Sequence, residues 1–552
     1  MPFSTTFLLA FLEKQSQQPF YRLFLALSSG ILLSVGWYTP FQILLFAGLV
    51  PILLLAQSFE NTKKGGWRFF LYVWLAFSVW NIGAIWWLWN ALGVGVIGVW
   101  LINALLQSLP VVLFRQTYRY SKALHGAAFF SYWVSFEYLH LNWELSFPWL
   151  NLGNAFGFLP SWVQFYEYTG AFGGTIWVLA VNYLLFKWLE KKQKIQAATR
   201  SYPLGAIVVL LLPLFFSQIL FYTYQESTEK GFEVVVVQPN LDCYEEKFPY
   251  NPATGEPSKN YVAYAEQIDR FVSLAQKNST PQTRYLLFPE TALHEDVPEN
   301  AVFQYPEPLR FFNTLHTSHP NAYILTGIDT YKFYQKDEAL SPTARKSRQG
   351  DFYYDAYNAA LYITPDGNTA FYHKSKLVTG AEKNPLKRWL PQEWQFFVDI
   401  MGDLGISQER TVFCADTIKN CLAPIICYES IYGDFCTEYV KKGAAWLAVI
   451  TNDGWWGNTP GHVQHLGFSA LRAIELRRSV ARSANTGISC FINQRGEILQ
   501  ATRYGETTAI RGIINPNEKI TFFAANGDYL ARVSVFLAFF FLISAIVKKW
   551  RN

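Results

Sequence analysis

The first 224 residues alternate long apolar runs with short polar breaks, and each run is close to the length that crosses a bilayer. A hydrocarbon core of about 30 Å takes about 20 apolar residues as helix. Runs of that kind fall near 22–38, 41–57, 69–90, 92–114, 126–141, 165–187 and 203–223, with a last one near 529–547. They predict about eight membrane helices. Glu137 and His140 interrupt the fifth, and Trp143 to Trp149 suit the membrane interface. From 225 to 525 the pattern changes to short apolar strands separated by longer amphipathic stretches, which predicts an α/β domain.

Strands are expected at Phe232 to Val237, Tyr285 to Phe288, Ala322 to Thr326, Ala359 to Ile363, Thr369 to Tyr372, Leu422 to Ile426, Trp446 to Thr451 and Gly487 to Ile492. Helices are expected at Tyr261 to Gln276, with Tyr261, Tyr264, Ile268, Val272 and Leu274 on one face, and at Gly467 to Ser483. Ala339 to Gln349, polar and basic, reads as a mobile loop. The expected organisation is a membrane domain of about seven helices (1–224), a soluble α/β domain (225–525) and a C-terminal membrane helix (526–552).

Composition agrees with a chain that needs lipid: 552 residues, 51% hydrophobic, 18% aromatic and 16% charged. The charge sets orientation rather than a partner. Lys63, Lys64 and Arg68 follow the second run, Arg115, Arg119 and Lys122 the fourth, Lys187, Lys191, Lys192, Lys194 and Arg200 the sixth, and Lys548, Lys549 and Arg551 the last. Positive loops stay cytoplasmic, so the large domain is expected outside. The net charge of +5 reflects these clusters, and no basic patch on a soluble face argues for nucleic acid. The N-terminus lacks a basic start and a small-residue cleavage site, so no signal peptide is expected to be removed.

All six cysteines (Cys243, Cys414, Cys421, Cys427, Cys436 and Cys490) lie in the outer segment. Such a compartment permits disulfides, and Cys414 and Cys421 are spaced for a bridge across a hairpin, although spacing alone leaves connectivity open. No paired-cysteine motif suggests zinc, and no metal or cofactor is expected. Cys427 stands out because it ends the apolar run Leu422 to Ile426. Glu290 closes Tyr285 to Pro289 in the same manner, and Lys374 closes Thr369 to His373. Alone, Cys427 is more often a small core thiol, Glu290 a cap or turn residue and Lys374 a solvated strand-end charge. Together they supply what acyl transfer needs: a thiol, a carboxylate to take its proton, and an ammonium to favour thiolate and oxyanion. If the strands share a sheet, the three side chains meet at one edge. A glutamate in a partly dry cleft is expected to have its pKa raised toward working pH. Glu382 and Glu429 are candidates to hold Lys374 and the turn at Cys427, with an ordinary surface charge as the alternative for either. Lys376 is a competing lysine, but the spacing to Glu382 favours Lys374.

Pro289-Glu290, Lys374, Cys427-Tyr428-Glu429 and Thr451-Asn452-Asp453-Gly454-Trp455-Trp456-Gly457 resemble the carbon-nitrogen hydrolase (nitrilase) superfamily. With the membrane runs, Ser146-Phe147-Pro148-Trp149-Leu150 and Val237-Gln238-Pro239-Asn240, the chain resembles that superfamily's membrane branch, the bacterial apolipoprotein N-acyltransferases. The resemblance implies an integral membrane α-helical bundle joined to an αββα sandwich carrying a Glu-Lys-Cys triad. It implies an acyl chain moved from a phospholipid, through a Cys427 thioester, to the α-amine of a diacylglyceryl-modified apolipoprotein. It also implies a bacterial inner membrane location with the catalytic domain periplasmic. One departure is that Leu377-Val378-Thr379-Gly380-Ala381-Glu382 replaces the family's usual Val-Pro-Phe-Gly-Glu, with the glutamate kept in place.

Trp149, Trp455, Trp456 and Trp143 are candidates for a lipid-facing rim or, equally, for domain core, and Asn452 for substrate contact. His462 and His465 fall in a loop after the tryptophans, as substrate-loop or structural residues. The alternatives are a tethered amidase with water as acceptor and a non-catalytic membrane scaffold. Eight helices are excessive for an anchor, and an intact triad argues against a scaffold. Few charges interrupt the runs, which argues against a transporter; Glu137 and Glu167 sit near outer ends, toward a headgroup or water.

Overall fold

The computed structural model describes residues 18–551, apart from 61, 63–64, 121–123, 194–199, 227, 229–230, 348–349, 385–402 and 416–419. Lys63, Lys64, Lys122 and Lys194 of the basic clusters lie outside the described residues. The chain divides into two compact units. One comprises Met1–Thr223 with Asp528–Asn552, the other Tyr224–Gly527.

The first unit is all helix: α1 (Pro19–Val35), α2 (Phe41–Ser58), α3 (Gly66–Ile85), α4 (Val96–Tyr120), α5 (His125–Leu141), α6 (Ala171–Gln193), α7 (Ser201–Thr223) and a C-terminal helix (Tyr529–Arg551). Each of the eight apolar runs is therefore helical. Five stretches among the described residues are long and apolar enough to cross a membrane, and one of them, Gly66–Tyr120, contains both α3 and α4. At 17 residues each, α1 and α5 fall at the short end of what spans a bilayer. α7 and the C-terminal helix expose Leu211, Leu212, Phe215, Phe536, Phe539 and Phe540, an apolar surface suited to lipid. α2 is broken at Leu49 because Pro51 has no N–H to give the preceding turn. The Asn182 side chain repairs the break, accepting from Leu49 N (2.8 Å) and donating to Leu45 O (2.8 Å).

Glu137 does not face water or a headgroup. It is buried in α5, accepting from Trp133 Nε1 (2.9 Å), Leu152 N (2.9 Å) and Thr175 Oγ1 (2.7 Å). Trp149 is likewise buried, packed on Trp87 (4.8 Å between ring centroids) and stacked on Phe147, so it belongs to the interior of the helical unit and not to a lipid-facing rim. Trp143 is partly exposed.

Among the described residues, the second unit holds two sheets. The larger has eight strands: β1 (Phe232–Gln238), β2 (Thr283–Leu287), β3 (Leu293–Pro298), β4 (Tyr323–Phe333), β5 (Arg345–Lys346), β6 (Tyr353–Ile363), β7 (Thr369–His373) and, closing the far edge, β13 (Thr508–Ile514). Its path is β13-β1-β2-β4-β6-β5, with β3 beside β4 and β7 beside β6; β1, β2 and β4 run parallel. The smaller has five strands in the order β12-β11-β10-β9-β8, from β8 (Cys421–Ile426), β9 (Ala444–Thr451), β10 (Val480–Ala484), β11 (Cys490–Ile492) and β12 (Ile498–Ala501).

The unbroken run Val234 to Val237 marks a strand covered on both faces. On one face, Val235, Val237, Leu286 and Phe288 pack under α8 (Tyr264–Asn278) and α9 (Pro306–Ser318) through Ile268, Phe271, Phe311 and Leu315. On the other, Phe232 and Tyr285 meet Trp446 of the second sheet at 5.7 and 5.0 Å between centroids. α10 (Gly433–Lys441) and α11 (Pro460–Leu476) cover that second sheet. The result is an αββα sandwich.

Several expected boundaries move. The helix expected over Gly467 to Ser483 is α11, which begins at Pro460; after Leu476 the chain turns, and Val480–Ala484 is the central strand β10. Consequently His462 and His465 are on a helix, not in a loop. Arg477 ends α11 at φ +49°, a left-handed stop that hydropathy did not reveal. Tyr261 precedes α8 and is exposed, and Phe271 takes its place on the buried face. Within Ala339 to Gln349, Arg345–Lys346 forms a short strand on β6, and 348–349 lie outside the described residues.

Candidate active site

Glu290, Lys374 and Cys427 each stand just past a strand end, but they do not share one edge. Glu290 follows β2 and Lys374 follows β7 in the larger sheet, whereas Cys427 follows β8 in the smaller. The group forms between the two sheets and is buried. Lys374 Nζ donates to Glu290 Oε1 (2.9 Å) and to Glu382 Oε1 (2.7 Å). Asn358 Nδ2 donates to the same two carboxylates, at 2.8 and 3.1 Å. Asn452 N donates to Glu290 Oε2 at 3.0 Å, and the Asn452 side chain accepts from Gly454 N and Asn485 Nδ2.

The backbone is shaped for these placements. Thr291, next to Glu290, has φ +50°, and Cys427 has φ +51°. A left-handed residue other than glycine costs roughly 1–2 kcal/mol, so surrounding contacts must hold both corners. At the first, the buried Lys247 ammonium hydrogen-bonds Thr291 Oγ1. Gly327 N donates to Pro289 O (3.0 Å), and a Cβ on Gly327 would lie 2.3 Å from Thr291 N and 2.5 Å from Glu290 Cα. Only glycine lets β4 pass this corner.

At the second corner the Glu429 carboxylate ties two elements together. It accepts from Ile426 N (2.8 Å) behind Cys427, and from Ser375 N (2.7 Å) and Tyr372 Oη (2.6 Å) beside Lys374. Glu382 accepts from Val378 N (2.8 Å), closing the loop after Lys374. Lys376 points elsewhere, with its ammonium 4.8 Å from the Tyr432 ring centroid.

These contacts set the charges. Burial pushes the Glu290 carboxyl up, but the Lys374 ammonium and hydrogen bonds from Lys374, Asn358 and Cys427 outweigh it and leave the group below its ordinary value. This reverses the expectation of a raised pKa, because a fixed cation and three donors favour the carboxylate more than burial disfavours it. Burial lowers Lys374, but Glu290, Glu382 and Cys427 raise it well above the usual lysine range. Burial, then Glu290, pushes the Cys427 thiol up, with Lys374 opposing. The resting site is a carboxylate, an ammonium and a neutral thiol.

Beneath Cys427 lies a second buried group that the sequence reading did not assemble. His465 of α11 contacts Asp453, which pairs with Arg482 of β10 (2.6 Å). Burial opposes charge on Asp453, but Arg482 and His465 hold it far below the carboxylate range. Asp453 stands within the Thr451–Gly457 motif and His465 was singled out after it, but nothing in the sequence linked the two to each other or to Arg482, 29 residues beyond Asp453. Asn358, a lone amide in an apolar strand, was the readable clue among the missed residues. Trp455 and Trp456 are half-buried; the Trp455 carbonyl accepts from Tyr244 Oη (3.1 Å), and the Trp456 ring stands edge-on to His465 (5.5 Å). Cys414 and Cys421 are disulfide-bonded, while Cys243, Cys427, Cys436 and Cys490 are free.

The carbon-nitrogen hydrolase family model matches residues 256–515, the stretch that forms most of the αββα sandwich and holds the buried thiol, carboxylate and ammonium. The model of the apolipoprotein N-acyltransferase N-terminal domain matches residues 29–184. Similarity extends over whole chains: an apolipoprotein N-acyltransferase of Chlorobaculum tepidum is 28% identical over 98% of this chain and 98% of its own. One from Haemophilus influenzae is 26% identical over 97% of each. The chain thus pairs a stretch like the N-terminal domain of apolipoprotein N-acyltransferases with a carbon-nitrogen hydrolase domain, and over nearly its whole length it is similar to apolipoprotein N-acyltransferases.

Proposed function

We propose that this enzyme transfers an acyl chain from a membrane phospholipid to the N-terminal α-amine of a diacylglyceryl-cysteine apolipoprotein, with Cys427 as nucleophile, Glu290 as base and acid, and Lys374 as electrostatic stabiliser. The observation that carries the reading is the pairing of Glu290 with Lys374 beside the Cys427 thiol.

In the first step the Cys427 Sγ–H proton passes to Glu290 as sulfur attacks the ester carbonyl carbon. The carbonyl oxygen becomes an oxyanion facing Lys374 and backbone N–H groups. The oxyanion collapses, the ester C–O bond breaks, and Glu290 returns its proton to the leaving alkoxide, giving lysophospholipid and thioester. In the second step the acceptor amine attacks the thioester, Glu290 takes a proton from the nitrogen, the C–S bond breaks, and the proton returns to the thiolate. An ester thus becomes an amide without an external energy source, provided water is kept from the thioester. Glu290 suits this cycle because its resting form is already the carboxylate. Glu382, Asn358 and Asn452 N act by positioning Lys374 and Glu290.

The basic clusters that follow α2, α4, α6 and the C-terminal helix support a reading with those ends in the cytoplasm and the catalytic domain on the periplasmic side of the inner membrane. The test is to incubate the full chain in detergent with phosphatidylethanolamine and no acceptor, then measure intact mass. An acyl increment that is absent in Cys427→Ala and discharged by a diacylglyceryl-cysteine peptide is expected. No increment on correctly folded protein would overturn the acyl-enzyme.

A further inference from the structure

The His465, Asp453 and Arg482 group lies wholly inside the α/β unit and touches no reacting atom in the mechanism above. Its contact with the site is through the backbone of the nucleophile itself. His465 Nε2 lies 3.1 Å from Cys427 O and 3.1 Å from Ser430 Oγ, and Ser430 Oγ donates to Cys427 O at 2.9 Å. On the opposite side of the ring, Nδ1 is 2.8 Å from Asp453 Oδ1. The Asp453 carboxylate and the Cys427 carbonyl both only accept, so the ring presents an N–H to each, from Nδ1 and from Nε2, and its orientation is fixed between them. Asp453 is fixed in turn by Arg482 Nη2 at 2.6 Å and by Thr451 Oγ1 at 2.9 Å. Each link is buried.

The consequence follows from peptide geometry. The Cys427–Tyr428 bond is trans and planar, so its carbonyl and its N–H point in opposite directions. A carbonyl drawn down toward His465 and Ser430 turns the Tyr428 N–H to the other side of the peptide plane, the side on which an acyl carbonyl bound to Cys427 would develop its negative charge. We propose that His465 is a positioning residue that, held by Asp453 and Arg482, locks the Cys427–Tyr428 peptide so that the Tyr428 N–H serves the oxyanion. The inference rests on the acyl-transfer reading and deepens it. His465 neither moves the thiol proton nor touches substrate.

The test separates two reactions of the same thiol. Alkylation of Cys427 by iodoacetamide forms no oxyanion, whereas acylation by phosphatidylethanolamine does. Both rates are measured on the full chain in detergent for wild type, His465→Phe and His465→Gln, with peptide mapping to distinguish Cys427 from the three other free cysteines. Phenylalanine keeps the ring and removes both hydrogen bonds; glutamine keeps an amide near Nε2. Removing an oxyanion donor typically costs ~10²-fold or more. The expectation is therefore an acylation rate down by about that factor in His465→Phe, alkylation within ~3-fold of wild type, and partial recovery of acylation in His465→Gln. Equal losses of both rates in His465→Phe, unchanged acylation, or a glutamine variant no better than phenylalanine would each overturn the positioning role. A wild type that alkylates but never acylates would instead overturn the acyl-transfer reading, and this proposal with it.

Discussion

Glu137 and Glu290 are both buried carboxylates, each fixed by at least three donors, yet they sit in different kinds of surroundings. Glu137, in the helical unit, accepts from an indole, a hydroxyl and a backbone N–H, all neutral. Glu290, in the α/β unit, accepts from an ammonium, an amide and a backbone N–H, with a thiol beside it. Neutral donors saturate a carboxylate and stitch α5 to the chain that follows. An ammonium shared with Glu382 keeps the carboxylate charged, with the Cys427 thiol beside it. Burial alone distinguishes neither residue; the ammonium and thiol beside Glu290 are what make it the candidate for catalysis.

The comparison is broken most sharply by removing the chemistry. Cys427→Ala and Glu290→Gln should each lower acyl-adduct formation by ~10⁴-fold or more, as loss of a nucleophile or its base does elsewhere. Retained turnover in either, read by intact mass, would remove the distinction drawn above. Gly327→Ala should come next. Its Cβ would press on Thr291 N and Glu290 Cα, and a displacement of about 1 Å at a catalytic group costs about 10²-fold. Cys427 alkylation should survive in that variant, because the corner that carries the thiol belongs to the other sheet.

Glu137→Gln is the converse test. A glutamine amide would face donors where the carboxylate accepted, which should destabilise the helical unit by about 1–3 kcal/mol. Adduct formation in protein that remains folded should change little; a loss comparable to that of Glu290→Gln would sink the contrast. The smallest effect belongs to Asn358→Leu. In the proposed cycle Glu290 is the base, so activity should fall as pH drops through its folded pKa, which is held below the ordinary value. Removing one donor to the charged form raises that pKa. The acidic limb of kcat/KM should therefore move to higher pH than in wild type, and a limb that stayed in place would leave Lys374 as the dominant influence.

The sequence by itself determined the eight apolar helices, the α/β pattern between the seventh and eighth, and three chemical residues each closing a strand. Those features are local: a run of about 20 apolar residues needs lipid wherever it occurs, and a polar residue ending a buried strand needs a reason nearby. It also carried the family, through motifs short enough to be read without a fold. Tertiary structure alone decided that the triad bridges two sheets, because strand order depends on contacts between residues far apart in the chain. It decided the charge on Glu290, which reversed the expected direction once Lys374, Asn358 and Cys427 were placed around it. It put Trp149 and Glu137 inside the helical unit, and it assembled His465, Asp453 and Arg482 under Cys427. Each of these depends on which side chains become neighbours in a dry interior, where an interaction strengthens as water is excluded, and that neighbourhood exists only after folding.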